Sequence, residues 1–331
     1  MYIELKWPGG GRIIRLPHQG TLLERLIASG VPMPNSCRRG SCQQCGCRIQ
    51  FGEFSDRRDV KDGISDNFHL ACQIDPQSDL KIELYENPYE TLEKPQYIPA
   101  KVVRIERLSE KVIGLGLVLP RNQVFKFRPG QYANVKPKSN IVRSYSIAAF
   151  DPASRILDFH IRLIDGGQFS KWLVAAAPDE LLQIHAPIGR FYLRESIAVR
   201  KTVMVATGTG ITPIFCMLAR ATDEQRSRLG QISIVWGNRN KSDNYLDGPL
   251  STLVRVIGAG YRAVYSAESD VPFKGRVTDW MPTSLENTQV FAAGHPQMIA
   301  DLRTLAHARG LPHTLFHSDA FAFASSLTEQ S

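Results

Sequence analysis

The sequence predicts a multidomain protein: a small α+β domain, then an antiparallel β-barrel, then an α/β domain with a doubly wound parallel sheet. Three observations predict it. They are a cysteine motif within the first 72 residues, short alternating runs in the middle third, and strand patterns that alternate with helical patterns in the last third. At roughly 100 to 200 residues per domain, a chain of 331 residues agrees with two or three domains. We place the boundaries after residues 97 and 197.

Composition and charge exclude several classes of protein. Hydrophobic residues make up 43% of the chain and charged residues 22%, which is typical of a globular protein rather than a disordered or fibrous one. We expect no membrane span and no secretory signal, and therefore a cytoplasmic protein. The net charge is +8, and residues 98–197 hold 15 Lys and Arg against 8 Asp and Glu. No basic stripe interleaved with aromatics predicts nucleic-acid binding, so this surplus predicts a local anionic ligand instead.

The cysteines of the first domain have the spacing of an iron–sulfur site. The pattern is C-x4-C-x2-C followed by one distant cysteine, the plant-type arrangement for a [2Fe–2S] cluster, and its members are Cys37, Cys42, Cys45 and Cys72. Two irons bridged by two sulfides need four thiolates, and small residues such as Gly40 and Gly46 let one loop curl closely around them.

Two alternatives for these cysteines are weaker. Structural zinc usually takes its ligands as two close pairs, whereas this chain offers a triplet and a singleton. Cys47 is a possible replacement for Cys45 as a ligand, but it falls on the following strand, where a small apolar residue is expected. We expect Cys216 to be a buried core thiol as well.

The cysteine loop, together with the segment LACQ at 70–73, resembles the plant-type ferredoxin domain that begins many bacterial oxygenase reductases. The resemblance implies a β-grasp fold for this domain. Residues 86–99 follow it with three prolines and no strand or helix period, which predicts an interdomain linker.

Short runs with period-two alternation predict the barrel of about six strands. In ILDFHIRLI, the residues Leu157, Phe159 and Ile161 face one way and the intervening polar residues the other. One helical segment, QFSKWLVAA, follows Gly166 and Gly167. Exposed amides at a helix N-terminus bind phosphate, so DGGQFS predicts a pyrophosphate site, with the guanidinium of an arginine in RSYS as a bidentate partner.

RSYS, GGQFS and the preceding RPGQY resemble the flavin-binding barrel of the ferredoxin reductase family. The resemblance implies that Arg143 contacts the flavin phosphates, that Tyr145 packs on the flavin ring, and that Ser146 lies near flavin N5. It implies FAD rather than FMN, because relatives with an N-terminal ferredoxin domain use FAD. The remaining flavin-contact candidates on the strand and helix are His160, Arg162, Gly166, Gly167, Gln168 and Ser170.

In the last third, strand and helix patterns joined by glycine-bearing loops predict the parallel sheet. TGTGITP lies directly between a strand and a helix, where phosphate-binding loops occur. It resembles the family motif GGTGITP, with Thr207 in place of its first glycine. The nucleotide candidates are Gly208, Thr209, Gly210, Thr212, Pro213, Arg239, Gly294 and Pro296.

Two further segments resemble family patterns. Trp236, Gly237, Arg239 and Asp243 match an aromatic-Gly-x-Arg run with a later Asp that meets the adenosine end of the nucleotide. AAGHPQM keeps Gly294, Pro296 and Met298 but has Ala293 where the family has a cysteine. Near the C-terminus, Phe321 matches an aromatic that lies against the flavin ring. The alternative is that Phe316, Phe321 and Phe323 form a terminal strand and pack in the core.

The resemblance covers nearly the whole chain and implies an electron-transfer function. Hydride transfer from nicotinamide to flavin needs positioning rather than a general base, so we name Tyr145, Ser146 and Phe321 as the catalytic residues. We predict NADH as donor, with NADPH possible, and an oxygenase or a small ferredoxin as acceptor. Arg38, Arg39, Arg57 and Arg58 predict a basic docking surface, or simply solvated side chains. The alternatives are a reductase of a bound intermediate in deoxysugar biosynthesis and, more remotely, an iron–sulfur redox sensor.

Overall fold

The computed structural model describes residues 1–35, 38, 40, 44–57, 68–85, 87–90, 93–139, 141–194 and 198–321. The helices are α1 (Leu22–Ala28), α2 (Gln168–Ala175), α3 (Ile211–Arg220), α4 (Asp223–Arg228), α5 (Asp247–Ile257) and α6 (Pro296–Ala308). The first nine strands are β1 (Tyr2–Trp7), β2 (Gly10–Arg15), β3 (Gly46–Phe51), β4 (Phe54–Asp56), β5 (Phe68–Leu70), β6 (Ile74–Pro76), β7 (Leu80–Leu84), β8 (Gln96–Ser109) and β9 (Val112–Val118). The other nine are β10 (Tyr132–Lys136), β11 (Arg143–Asp151), β12 (Ile156–Arg162), β13 (Leu181–Ile188), β14 (Lys201–Thr207), β15 (Gln231–Asn238), β16 (Gly260–Tyr265), β17 (Thr288–Gly294) and β18 (Phe316–Ala320).

The chain forms two compact units, Met1–Thr91 with His295–Ser331, and Leu92–Gly294. Within the described ranges, no helix is both long and apolar enough to cross a membrane.

The first unit contains a mixed sheet in the order β2-β1-β7-β3-β5, with a separate β4-β6 ribbon. β1 and β7 are parallel and the other pairs are antiparallel. Helix α1 begins at a capping box between Thr21 and Glu24 and packs its leucines into the core of the sheet. A 3-10 turn at Ala71–Gln73 follows β5 directly. The end of β5 pairs with the beginning of β3, so this turn lies beside the first residue of β3.

The second unit begins with a closed barrel in the order β10-β11-β12-β9-β8-β13, which confirms the six-strand prediction. The inward side chains of β12 are buried at 0 to 1% exposure, as the alternation predicted: Leu157, Phe159 and Ile161. β8 begins at Gln96, so the last four residues of the segment predicted to be a linker are barrel strand instead. Pairing with β13 extends the strand this far, because Tyr97 and Gln96 lie opposite His185 and Ala186 of β13.

The remainder of the second unit is a sheet of parallel strands, with β14 between β15 and β17 and β16 beyond β15. A 3-10 turn at Gly208–Gly210 joins β14 to α3. Helix α3 is buried along much of its length, and Cys216 on it is 1% exposed, as predicted. Burial raises the pKa of the Cys216 thiol to about 11.

Candidate redox-cofactor sites

Two of the four predicted cluster ligands come together at one end of the first sheet. The Ala71 amide donates to the Cys45 carbonyl at 2.9 Å, and Gly46 pairs with Leu70 across β3 and β5. This ladder therefore brings the segments of Cys45 and Cys72 side by side, although 26 residues separate them in sequence. Both side chains are buried, at 2% and 4% exposure. Cys37 and Cys42 lie outside the described residues.

The surroundings of Cys72 suit a cluster bound by thiolates. The Gln73 side-chain amide lies 3.5 Å from the Cys72 sulfur, as a donor to it. Gly40 has a φ of +84°, and a Cβ there would lie 3.2 Å from the Gln73 side chain. Glycine at position 40 therefore lets the backbone approach the Cys72 segment closely. Cys47 is fully buried in the core on β3 beside Ile49, at the strand position where the sequence predicted a small apolar residue.

A surface cavity of about 290 Å³ lies against Cys72, lined by Thr21, Leu23, Glu24, Arg38, Arg57, Cys72 and Gln73. The Arg57 guanidinium binds both carboxylate oxygens of Asp75, at 2.7 and 2.8 Å. Arg38 donates to the side-chain oxygen of Asn35 at 3.1 Å. The two described arginines thus stand with two carboxylates, Glu24 and Asp75, so this part of the predicted docking surface has no net positive charge. Arg39 and Arg58 lie outside the described residues.

In the barrel, β11 presents an unsatisfied polar group. Ser146 is 9% exposed, and its buried hydroxyl has no hydrogen-bond partner among the described residues. A buried hydroxyl without a partner costs free energy, so this position suits a polar atom of a ligand. The neighbouring Tyr145 ring lies 4.8 Å from the Phe169 ring of α2, and burial raises the Tyr145 pKa. Both features fit the predicted flavin site.

The predicted pyrophosphate site has the expected helix start. Gly167 precedes α2 with extended backbone and, within the part of the chain that the structure describes, no side-chain capping hydrogen bond, so the first-turn amides have no cap from that position. The Ser170 hydroxyl accepts the Ile164 amide at 2.8 Å and so closes the turn before the helix. The Arg143 guanidinium donates one hydrogen bond, to the Val142 carbonyl, which leaves further donors for an anion. Gly166 and Gln168 are exposed at this helix start.

The glycines of the predicted nucleotide loop serve close backbone packing. A Cβ on Gly210 would lie 2.1 Å from the Ala293 carbonyl oxygen, and a Cβ on Gly294 would lie 2.3 Å from the Thr207 hydroxyl. Gly294 has a φ of +133°, which favours glycine. Thr207 stands where the family motif has its first glycine, and the lack of a side chain at Gly294 leaves room for the Thr207 hydroxyl. Ala293 is fully buried in the core, so its methyl group acts in packing.

The segment predicted to meet the adenosine end has other partners in the structure. Trp236 is fully buried, and its indole N–H donates to the Gly208 carbonyl at 2.9 Å. Asp243 caps the turn at Asn240 and pairs with Lys111 of the barrel at 3.3 Å. Of this set, Arg239 is exposed. Trp236 thus bonds to the nucleotide loop and Asp243 to the barrel, while Arg239 remains the predicted nucleotide contact.

Sequence reasoning missed Tyr245, which touches two predicted site residues. Its hydroxyl lies 2.8 Å from the Thr212 hydroxyl and 3.3 Å from His160 Nδ1 on β12. Burial raises the pKa of Tyr245, while burial, with a smaller effect from Arg104, lowers the pKa of His160 to about 4. The signal available in the sequence was an aromatic residue two positions after Asp243, which no pattern singled out.

The C-terminal segment of the first unit contains Phe321, which follows β18 and is half-buried. Phe316 is 5% exposed and packs in the core, while Phe323 lies outside the described residues. Two residues before Phe321, Asp319 is buried, and the Gln44 side-chain amide beside Cys45 lies 3.5 Å from it. Burial raises the pKa of Asp319 to about 7.

Arg303 on α6 is a second residue that the sequence did not single out. It is 6% exposed, and its guanidinium lies 4.5 Å from the ring centres of both Phe68 and Phe316. It donates to the Ser318 hydroxyl at 2.9 Å, and burial lowers its pKa to about 10. The buried residues of α6 are Ile299, Leu302, Arg303 and Ala306, so Arg303 lies on the buried face of this helix.

Three domain families match the chain. They are a 2Fe-2S iron-sulfur cluster binding domain over residues 6–77, an oxidoreductase FAD-binding domain over 99–192 and an oxidoreductase NAD-binding domain over 204–304. These matches confirm the predicted fold class and the predicted set of cofactor domains.

Relatives match over more than nine tenths of this chain and of their own length. The xylene/toluene monooxygenase electron transfer component XylA of Pseudomonas putida is 31% identical over 332 residues, covering 95% of this chain and 92% of the relative. The toluate 1,2-dioxygenase electron transfer component of Pseudomonas putida is 27% identical over 315 residues, covering 91% and 92%. Among solved structures, the Amycolatopsis cytochrome P450 reductase GcoB matches with a TM-score of 0.69 at 24% identity, over 98% of this chain and 100% of that one. The ferredoxin reductase in carbazole 1,9a-dioxygenase matches with a TM-score of 0.62 at 23% identity, over 97% and 99%.

Proposed function

The chain belongs to the ferredoxin reductase family of NAD(P)H-dependent flavin iron–sulfur oxidoreductases, and from this we propose that it passes electrons from NADH to an oxygenase or its ferredoxin. When bound, FAD would supply an acceptor for the hydride of NADH and a [2Fe–2S] cluster would supply a one-electron route onward. Each NADH yields NAD⁺, one proton and two electrons, which reduce two one-electron acceptors.

The observation that supports this proposal most is the approach of the barrel to the nucleotide loop within the second unit. A Cβ on Gly208 would lie 3.3 Å from the Arg162 guanidinium of β12. From α3, the Arg220 guanidinium donates to the Phe150 carbonyl of β11. Hydride transfer needs two bound partners at a fixed short distance, and these contacts fix the two binding elements against each other.

In this proposal each residue has a binding or orienting role. Arg143 and the start of α2 hold the pyrophosphate, Tyr145 packs against the flavin ring, and the Ser146 hydroxyl donates to a ring acceptor. Gly208, Thr209 and Gly210 receive the nucleotide. Cys45 and Cys72, with Cys37 and Cys42, ligate the irons.

NADH is favoured over NADPH by the loops that follow β15 and β16. Lys241 is a candidate cation for a 2′-phosphate, and its ammonium group donates a hydrogen bond to the Asp270 backbone carbonyl at 3.2 Å. Its backbone amide donates to the Glu268 carboxylate at 3.0 Å. A carboxylate in this position suits a ribose hydroxyl and repels a phosphate. Steady-state rates with both nucleotides test the choice, and a large preference for NADPH would overturn it.

For the acceptor we propose docking at the cavity beside Cys72, where a cluster ligand lies close to the surface. Because Arg57 is paired with Asp75 and Glu24 lies on the same cavity, the described charges contribute little to a salt dependence. Turnover with a candidate acceptor, measured against ionic strength, tests this. A steep fall of turnover with salt would contradict this charge balance at the cavity.

The function itself is tested on the purified holoprotein. We expect NADH to reduce ferricyanide and cytochrome c, released flavin to have the mass of FAD, and visible absorption to show the cluster. Cys42→Ser should abolish cluster absorption and cytochrome c reduction and spare ferricyanide reduction. Cytochrome c reduction that survives this change would contradict the route through the cluster, and release of FMN would contradict the flavin assignment.

A further inference from the structure

We propose that Tyr245 is a positioning residue: its hydroxyl ties Thr212 of the nucleotide loop to His160 of the flavin barrel and so sets how the Thr212 hydroxyl meets the nucleotide. This inference rests on the proposed function and adds to it a residue that lies outside the predicted site.

The first step is the geometry of the three groups. The Tyr245 hydroxyl lies 2.8 Å from the Thr212 hydroxyl and 3.3 Å from His160 Nδ1. Thr212 is 2% exposed and lies in the first turn of α3. The three groups therefore form one hydrogen-bonded chain from β12 of the barrel to the beginning of α3.

The second step is the rigidity of Tyr245. Its ring meets the Trp236 ring edge-on at 5.8 Å and the His160 ring edge-on at 5.3 Å. Trp236 in turn donates to the Gly208 carbonyl. Two aromatic side chains thus hold the nucleotide loop at both ends. Trp236 bonds to Gly208 at its beginning, and Tyr245 bonds to Thr212 at its end. Because the Tyr245 ring is held by these contacts, the position of its hydroxyl is fixed. That hydroxyl in turn orients the two side chains that bond to it.

The third step is the direction of the hydrogen bonds. If His160 Nδ1 accepts the Tyr245 proton, the Thr212 hydroxyl donates to Tyr245 and offers its lone pairs to the nucleotide. If His160 Nδ1 carries a proton, it donates to Tyr245, which donates to Thr212, and the Thr212 proton is then directed to the nucleotide. The tautomer of a barrel histidine thus selects whether Thr212 accepts or donates at the ligand.

Removal of the Tyr245 hydroxyl should affect rate more than affinity. In Tyr245→Phe the Thr212 hydroxyl is still present and rotates freely to bond a ligand, so binding of NAD⁺ changes little. Placement of the nicotinamide loses its support, and hydride transfer is sensitive to placement. We expect the limiting rate of flavin reduction by NADH to fall about tenfold, the size of one lost hydrogen bond. The dissociation constant of NAD⁺ should change less than about threefold.

The experiment is stopped-flow reduction of the holoprotein together with calorimetric titration of NAD⁺. Tyr261→Phe is the matched control, because Tyr261 also donates one hydrogen bond, to Asp247 at 2.7 Å, in the same domain. We expect it to retain the wild-type rate. A Tyr245→Phe rate within twofold of the control would overturn the inference, as would a loss of NAD⁺ affinity as large as the loss of rate. A wild-type protein that NADH does not reduce would overturn the proposed function instead.

A double-mutant cycle tests the route through Thr212. In the Thr212→Val background no hydroxyl remains to be oriented, so Tyr245→Phe should cause no further loss of rate. Additive losses would overturn the inference. His160→Phe tests the barrel end independently and keeps the edge contact with Tyr245. A lower rate at unchanged NAD⁺ affinity is expected, and an unchanged rate would overturn the link to the barrel.

Discussion

Gly210→Ala is the substitution whose consequence follows most directly from the structure. The added methyl carbon would lie 2.1 Å from the Ala293 carbonyl oxygen, 2.5 Å from the Ala293 carbonyl carbon and 2.9 Å from the Gly294 nitrogen. All three atoms are backbone, so no side chain can rotate away, and the strand end and the loop must separate by about 1 Å. Overpacking of this kind costs about 1 to 3 kcal/mol, and the backbone contact favours the upper value.

The assay is thermal unfolding of the holoprotein beside Gly248→Ala. Outside the backbone of its own helix, a Cβ on Gly248 would meet no atom of the described residues within 4 Å, and alanine in a helix gains up to about 1 kcal/mol over glycine. For a unit of this size about 3 kcal/mol corresponds to a midpoint roughly 6 to 12 °C lower. The displaced loop should also slow flavin reduction by roughly a hundredfold. A Gly210→Ala midpoint within about 2 °C of wild type would refute the packing argument.

Three other predictions follow from the sites. Cys47→Ala should keep the visible cluster absorption that Cys42→Ser loses, and loss of absorption in both would make Cys47 a ligand. Ser146→Ala should lower the limiting rate of flavin reduction about tenfold, whereas Ser144→Ala, which breaks an exposed bond to Asn134, should not; equal effects would remove the special role of Ser146. His160 has a folded pKa of about 4, below its unfolded value, so the folded state loses stability as pH falls from about 6.5 toward 4. Between pH 7 and 4.5, denaturant titrations should show wild type losing about 2 to 3 kcal/mol more than His160→Phe, and parallel losses would contradict the assignment.

The sequence predicted the elements whose pattern is local. Alternation in β12 and the glycine loop before α3 depend on neighbours in the chain, so period and punctuation located them correctly. The cluster spacing was informative for a different reason, because four thiolates around a small core restrict the loop that supplies them.

What the sequence could not predict depends on contacts between distant segments. Strand β8 begins inside a proline-bearing stretch because β13, about 85 residues later, pairs with it. Tyr245 gains its place from Thr212 and His160, and neither lies near it in sequence. Arg303 stands on the buried face of α6, and its partners there, the Phe68 and Phe316 rings and the Ser318 hydroxyl, come from other segments of the chain.

The packing around Arg303 has a consequence for biosynthesis. Phe68 and Tyr85 stack on His313, at ring distances of 6.2 and 5.1 Å, and Arg303 covers Phe68. A ribosome adds about 5 to 20 residues per second, so roughly ten to fifty seconds pass between the synthesis of Phe68 and that of His313. During that interval these rings are without their native cover on the nascent chain. The unit that is translated first is therefore completed last, and a premature stop before α6 leaves Phe68 and Tyr85 without Arg303 and His313.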